Sequence, residues 1–198
     1  MKFPFDVLAY VYREGIDRLE EGFSAAIGGL QDRRDQLSAE LGDYEAHLEA
    51  GGEVQGEWDE DNGGWLYRAD DLLRLRMDEA ETTLRDLRHA YIVMIYHHWE
   101  RSMQRRLDKR PKNHAELVKC LEAKGCLLDE RLAGLHLLVG VLKHDKDDAG
   151  RLCSGWLFLP ERSREKPPKG WPRTLHLSDQ HVLEALDIVR LSGPPPAS

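Results

Sequence analysis

The chain has 198 residues, of which 41% are hydrophobic and 32% charged, with a formal net charge of −8. That length fits one domain with an appended segment, and it can bury a core without covalent staples. The negative balance argues against non-specific nucleic-acid binding, although it leaves room for a local basic groove. Leu leads the apolar set, Ala and Glu are common and β-branched residues are few, which favours an all-α fold. No apolar run reaches the length of a membrane span, and the opening Met1-Lys2-Phe3-Pro4-Phe5-Asp6 lacks the apolar core of a signal peptide. Cys120, Cys126 and Cys153 are odd in number and have no Cys-x-x-Cys spacing, so they read as free thiols of a reducing cytoplasm.

The charge is uneven. Residues 1–62 hold 16 acidic and 5 basic side chains, a net of −11, and the remainder holds 20 acidic and 23 basic, a net of +3. The chain therefore divides into an acidic helical arm and loop (1–62), a helical bundle (63–192) and a Pro-rich, disordered tail (193–198).

From about Phe5 to Ala50, apolar residues recur at spacings near three and four, among them Val7, Val11, Ile16, Leu19, Phe23, Ile27 and Leu30. The spacing predicts a long helix that Gly28-Gly29 bends or breaks. Residues 51–65 read as a glycine-rich acidic loop pinned by Trp58 and Trp65. A second long helix is expected from about Tyr67 to Asp108. Its middle, Leu84 to Trp99, is apolar on most sides, as befits a central helix, and Pro111 ends it. Asn113 caps a short helix with Glu116 in the box position, and Gly125 terminates it. A helix beginning at Asp129 carries Leu132, Leu135, Leu138 and Val141 up to His144. Asp148 to Trp156 reads as another short helix, 160–173 as a Pro/Arg/Lys-rich loop, and 174–177 as a brief extended piece. Ser178 caps a last helix, Asp179 to Leu191.

The chemistry gathers at His136-Leu-Leu-Val-Gly140-Val-Leu-Lys143-His144. His136, Gly140 and His144 are spaced i, i+4, i+8 and share one helix face. Gly140 is then either a packing notch or a flat place where a polymer backbone can approach. An imidazole is the natural general acid or base near neutral pH. Cleavage of a phosphodiester through the ribose 2′-hydroxyl needs a proton acceptor, a proton donor and a cation for the phosphorane, a role open to Lys143 or Arg131. The alternative is that these are ordinary polar residues of a bundle helix.

His97 and His98, followed by Glu100, point about 100° apart on a helix and cannot easily share a metal. One of them is expected to face the core and the other can line the groove of His144. His144, Asp145, Asp147 and Asp148 read as a charged helix end rather than a metal site, so no metal or other cofactor is expected. The basic clusters give the best RNA-binding candidates. They are Arg101, Arg105, Arg106, Lys109 and Arg110 after the central helix, and Lys169, Trp171 and Arg173 in the later loop, where Trp171 offers a stacking surface.

Arg131-Leu-Ala-Gly-Leu-His136, an arginine and a histidine separated by four residues late in an all-α bundle, resembles the motif of the HEPN superfamily. The segment Leu135 to Lys143-His144 is similar to a bacterial subgroup of it. The central stretch Leu87 to Glu100 and the closing Leu175 to His181 match in order, so the resemblance covers roughly residues 67–192. It implies a bundle of four to five core helices that dimerises, and a metal-independent endoribonuclease acting as a toxin or antiphage effector, with a cognate inhibitor or effector partner. By resemblance His144 is the catalytic histidine, with His136, Lys143 and Arg131 beside it. Active members carry a polar residue after the arginine, where this chain has Leu132. Aligned on His144, the arginine falls on Val139 and the polar residue on Gly140. The second reading is therefore a catalytically degenerate HEPN-like module that binds RNA or protein and dimerises. A third is a plain helical scaffold with an acidic interaction arm.

Overall fold

The computed structural model describes residues 6–144 and 175–194. Within them the chain is mostly helical, as expected. Helix α1 spans Val7–Glu49, strands β1 (Gly56–Asp59) and β2 (Gly64–Arg68) form an antiparallel pair, and α2 (Ala69–Gln104), α3 (His114–Ala123), α4 (Leu132–His144) and α5 (Asp179–Leu191) follow. No helix among the described residues is long and apolar enough to cross a membrane. The helix expected over Asp148 to Trp156, the loop 160–173 and the tail beyond Pro194 lie outside the described residues.

The chain forms two compact units. One is built from the residues up to Phe23 and from Arg88 onward, the other from Ser24–Leu87. The division therefore falls inside α1 and α2, and the boundary drawn at residue 62 from charge does not coincide with it. Charge tracks the solvent face of a helix, whereas a compact unit is set by what its buried face packs on.

In Ser24–Leu87 the buried apolar residues are Ile27, Leu37, Tyr44, Ala80 and Leu84. Helix α1 runs through Gly28-Gly29 without interruption, and a side chain added at either position would meet nothing. The segment read as a loop contains a hairpin. Asp59 Oδ1 accepts from the backbone N–H groups of Asp61 and Asn62 at 3.0 and 3.2 Å, and Gly63 closes the turn at φ +66°. Trp58 and Trp65 face each other across the strands, edge to face at 5.3 Å, and stay half-exposed. They pack on one another, not on a core. The Tyr44 hydroxyl accepts from the Gln55 N–H at 2.8 Å, which ties the hairpin to α1. Asp70 is buried between Arg68 and Arg74, with Arg74 donating at 2.8 Å. Burial pushes this carboxyl up, but the Arg74 hydrogen bond and the two guanidinium charges outweigh it and hold it below the usual carboxylate range.

In the other unit α2 is central. Ile92, Ile95, Tyr96, Trp99 and Met103 are buried along it, while Met94 is left half-exposed. Ala9, Tyr12, Ile16 and Phe23 of α1, Leu117 and Leu121 of α3, five residues of α4, Leu175, Leu177 and five residues of α5 complete the core. Asp6 caps α1, accepting from the Ala9 N–H at 2.9 Å. Helix α2 stops at Gln104, short of the expected Asp108. Its chain tightens into three-residue turns at Arg106 and Leu107 before Pro111. Asn113 Oδ1 accepts from the Glu116 N–H at 2.9 Å, and Glu116 reaches back to the Lys112 N–H at 2.6 Å. Gly125, at φ +77°, ends α3. Helix α4 starts at Leu132 because Asp129 caps it, its carbonyl accepting from Leu132 and its side chain from the Arg131 N–H.

Helix α5 is held at both ends. Arg88 of α2 donates to Asp179 in its first turn at 2.6 Å. At the far end, where carbonyls lack helical partners, Tyr12 donates its hydroxyl to the Val189 carbonyl and Trp99 Nε1 donates to the Ser192 carbonyl at 3.0 Å. Arg190 pairs with Asp17 and Glu20 of α1. Two side chains from different helices thus cap a third, and burial drives the Tyr12 phenol well above its usual range. Tyr12→Phe leaves the Val189 carbonyl unpaired in the core and should lower stability by about 1–3 kcal/mol. Chemical denaturation of the two proteins measures this; equal midpoints would mean the bond contributes nothing.

Candidate functional site

Helix α4 presents His136, Gly140, Lys143 and His144 to a cavity of about 250 Å³, whose other wall is Tyr96, His97 and Glu100 of α2. The spacing read from sequence therefore places both imidazoles and the lysine in one groove. A Cβ added at Gly140 would meet nothing within 4 Å, so this glycine fills no packing notch against the described residues. It lowers the floor of the groove instead. Lys143 and His144 occupy the last turn of α4, where the carbonyl end of the helix favours positive charge.

Behind the groove lies a bridge that joins three helices. The Tyr96 hydroxyl is within 2.8 Å of His136 Nδ1 and 2.9 Å of His114 Nδ1. The two imidazoles stack, centroids 4.0 Å apart and planes 5° apart. A phenol has one proton to donate, so satisfying all three groups requires one ring to donate from Nδ1 and the other to accept at Nδ1. Burial pushes the Tyr96 phenol far above its usual range. Burial, and then the neighbouring His136, lower His114 from 6.5 to about 4. Stacked imidazoles this close strongly disfavour a second positive charge.

At the mouth of the groove, His97 Nδ1 lies 3.1 Å from Glu100 Oε2, and His97 Nε2 lies 3.2 Å from Lys143 Nζ. An ammonium only donates and a carboxylate only accepts. With Lys143 and Glu100 charged, this arrangement selects the His97 tautomer with its proton on Nδ1 and a lone pair on Nε2. His98 turns the other way. Its Nε2 is 2.8 Å from the Tyr12 carbonyl, and its ring stacks on Tyr12 at 5.3 Å. His98 packs on α1 and His97 lines the groove.

Arg131 is not brought to the groove. It makes a two-pronged pair with Asp129, at 3.0 and 2.8 Å, and reaches Glu184 of α5 at 3.2 Å. The Asp129 hydrogen bond holds its guanidinium protonated, far above any accessible pH. Among the RNA-binding candidates, Arg106 is paired with Asp6 at 2.7 Å. Arg101 and Arg110 line a recess of about 670 Å³ with Lys112, Gln104, His97 and Glu100, so it adjoins the groove. Arg105 lines a cleft on the other side of His97 and Arg101, with Arg18, Tyr91 and Met94. Lys109 is exposed. Lys169, Trp171 and Arg173, the acidic trio Asp145, Asp147 and Asp148, and Cys153 lie outside the described residues. Cys120 and Cys126 are free thiols. Among the described residues no group of three or more His, Cys, Asp and Glu is placed to hold a metal ion.

Sequence reasoning missed the bridge of Tyr96 to His114 and His136, since these links span 18 and 40 residues of chain. The His97–Glu100 pair, at i and i+3 on a helix, was the available local signal. Compared with protein-family models, curated proteins and solved structures, the chain matches none.

Between pH 6.5 and about 4, unfolded chains bind a proton at residue 114 that the folded protein refuses. The His114 contribution to stability is therefore complete above pH 6.5 and declines as pH falls to about 4. Denaturation midpoints measured across this window should fall less steeply for His114→Gln than for wild type; parallel slopes would contradict the assignment.

Proposed function

We propose that this chain is a HEPN-like helical protein of the cytoplasm that cleaves RNA through the ribose 2′-hydroxyl without a metal, as a toxin or antiphage effector. The observation that carries the reading is the convergence of His136, Lys143 and His144 of α4 on one groove, facing His97 and Glu100 of α2. The reaction needs an acceptor for the 2′-hydroxyl proton, a donor for the departing 5′-oxygen and positive charge at the phosphorane. Imidazoles and an ammonium supply all three within that cavity. His144 takes part in proton transfer, Lys143 engages the phosphate, and the low floor at Gly140 admits the sugar–phosphate backbone. Arg101, Arg110 and Lys112 in the adjoining recess supply charge for the flanking phosphates. The resemblance adds homodimerisation and a cognate protein that holds the activity in check.

One observation favours a second reading, a catalytically degenerate module that binds RNA or protein. Arg131, the arginine of the motif, is committed to Asp129 and Glu184 and leaves Lys143 as the phosphate cation of the groove.

The two readings separate on purified protein incubated with structured RNA in EDTA, beside His144→Ala. The first predicts 2′,3′-cyclic phosphate ends and a rate about 10²–10⁴-fold lower in the variant. A His144→Ala protein that cleaves as fast as wild type would reject the role of His144. Absence of cleavage by wild type, with retained RNA binding, would favour the degenerate module.

A further inference from the structure

Besides His136 and His144, the groove holds a third histidine, His97. His97 is bonded on both ring nitrogens, to Glu100 at 3.1 Å and to Lys143 at 3.2 Å, and it is half-buried while His144 is exposed. A carboxylate on Nδ1 fixes the ring orientation, keeps the Nε2 lone pair directed into the groove and stabilises the imidazolium that forms when Nε2 takes a proton. Lys143 occupies that lone pair in the free protein. An ammonium on a flexible stem carries three donors, and an incoming phosphate oxygen is a stronger partner for it than a neutral imidazole.

We propose that His97, held by Glu100, is the catalytic proton acceptor of this groove, and that Lys143 passes from His97 to the phosphate when RNA enters. The proposal rests on the ribonuclease reading. His97 Nε2 takes the proton of the 2′-hydroxyl, and the 2′-oxygen forms a bond to phosphorus. The bond from phosphorus to the 5′-oxygen breaks, and protonated His144 gives its proton to that oxygen. The products are a 2′,3′-cyclic phosphate and a free 5′-hydroxyl. Nothing is oxidised or reduced, and one proton has moved from His144 to His97. Lys143 neutralises charge on a non-bridging oxygen throughout. Solvent returns the two imidazoles to their starting states. Glu100 touches no substrate and is a positioning residue.

The site draws its acid from the end of α4 and its base from the C-terminal part of α2, so the two proton-transfer groups sit on opposite walls. In-line displacement demands this placement, because the attacking and leaving oxygens lie on opposite sides of phosphorus.

The test compares cleavage of structured RNA in EDTA by wild type, His97→Ala, Glu100→Gln and His144→Ala, each across pH, with circular dichroism confirming the fold. His97→Ala should lose about 10²–10⁴-fold in rate and regain part of it with imidazole in the buffer. Glu100→Gln should retain more activity. It should also move the acidic limb of its pH–rate profile to lower pH, because a neutral amide no longer stabilises the imidazolium, a shift that a merely structural role would not cause. If wild type and His97→Ala cleave equally while His144→Ala is inactive, the inference fails and the ribonuclease reading stands. If wild type cleaves no RNA, both fail. Should His97→Ala not fold, an unshifted Glu100→Gln profile overturns the proposal by itself.

Discussion

The buried hydroxyl of Tyr96 is the constraint around which this fold is arranged. It lies on the central helix, is 2% exposed, and has two imidazoles from two other helices within hydrogen-bonding distance. A buried phenol without a partner is destabilising by roughly 1–3 kcal/mol, and α3 and α4 each present a histidine at this point. That pairing sets the rotation of α4 about its axis. Once His136 faces Tyr96, Gly140 and His144 follow on the same face and Lys143 swings towards His97. The groove is thus a consequence of satisfying a polar group in the core.

The same logic operates at the other end of the unit. Tyr12 and Trp99 use their polar tips to cap the carbonyl end of α5 while their rings fill the core. Aromatic residues with one polar handle suit this work. Arg88 and Arg190 add ion pairs at the two ends of α5, but these are partly exposed, and such pairs contribute modestly. Position comes from the aromatic bridges, and charge refines it.

Much of this was legible in the chain itself. Apolar spacing gave α1, α2 and α4 to within a few residues, and Asn113, Gly125 and Ser178 marked the ends of the shorter helices because capping is a local interaction. Placing His136, Gly140 and His144 on one face required only the helical period. The hairpin was hidden because its turn rests on Asp59 and Gly63 within a run that looks uniformly polar and glycine-rich. Tyr96 read as one more apolar residue of a central helix, and the sequence holds no signal that its hydroxyl meets His114 and His136. Arg131 read as a free cation although Asp129, two residues before it, takes two of its N–H groups; only its second partner, Glu184, is distant, at 53 residues. The division of the chain into units was obscured for a related reason, since two helices run through both.

The central claim is that hydrogen bonding fixes the protonation pattern of the imidazoles behind and beside the groove. Two-dimensional ¹⁵N–¹H NMR of the histidine rings at neutral pH tests it most directly. The account predicts that His97 carries its proton on Nδ1, and that of His114 and His136 one is protonated at Nδ1 while the other accepts there. His97 and His114 both protonated only on Nε2, with no change in either ring of the His114–His136 pair on Tyr96→Phe substitution, would contradict it.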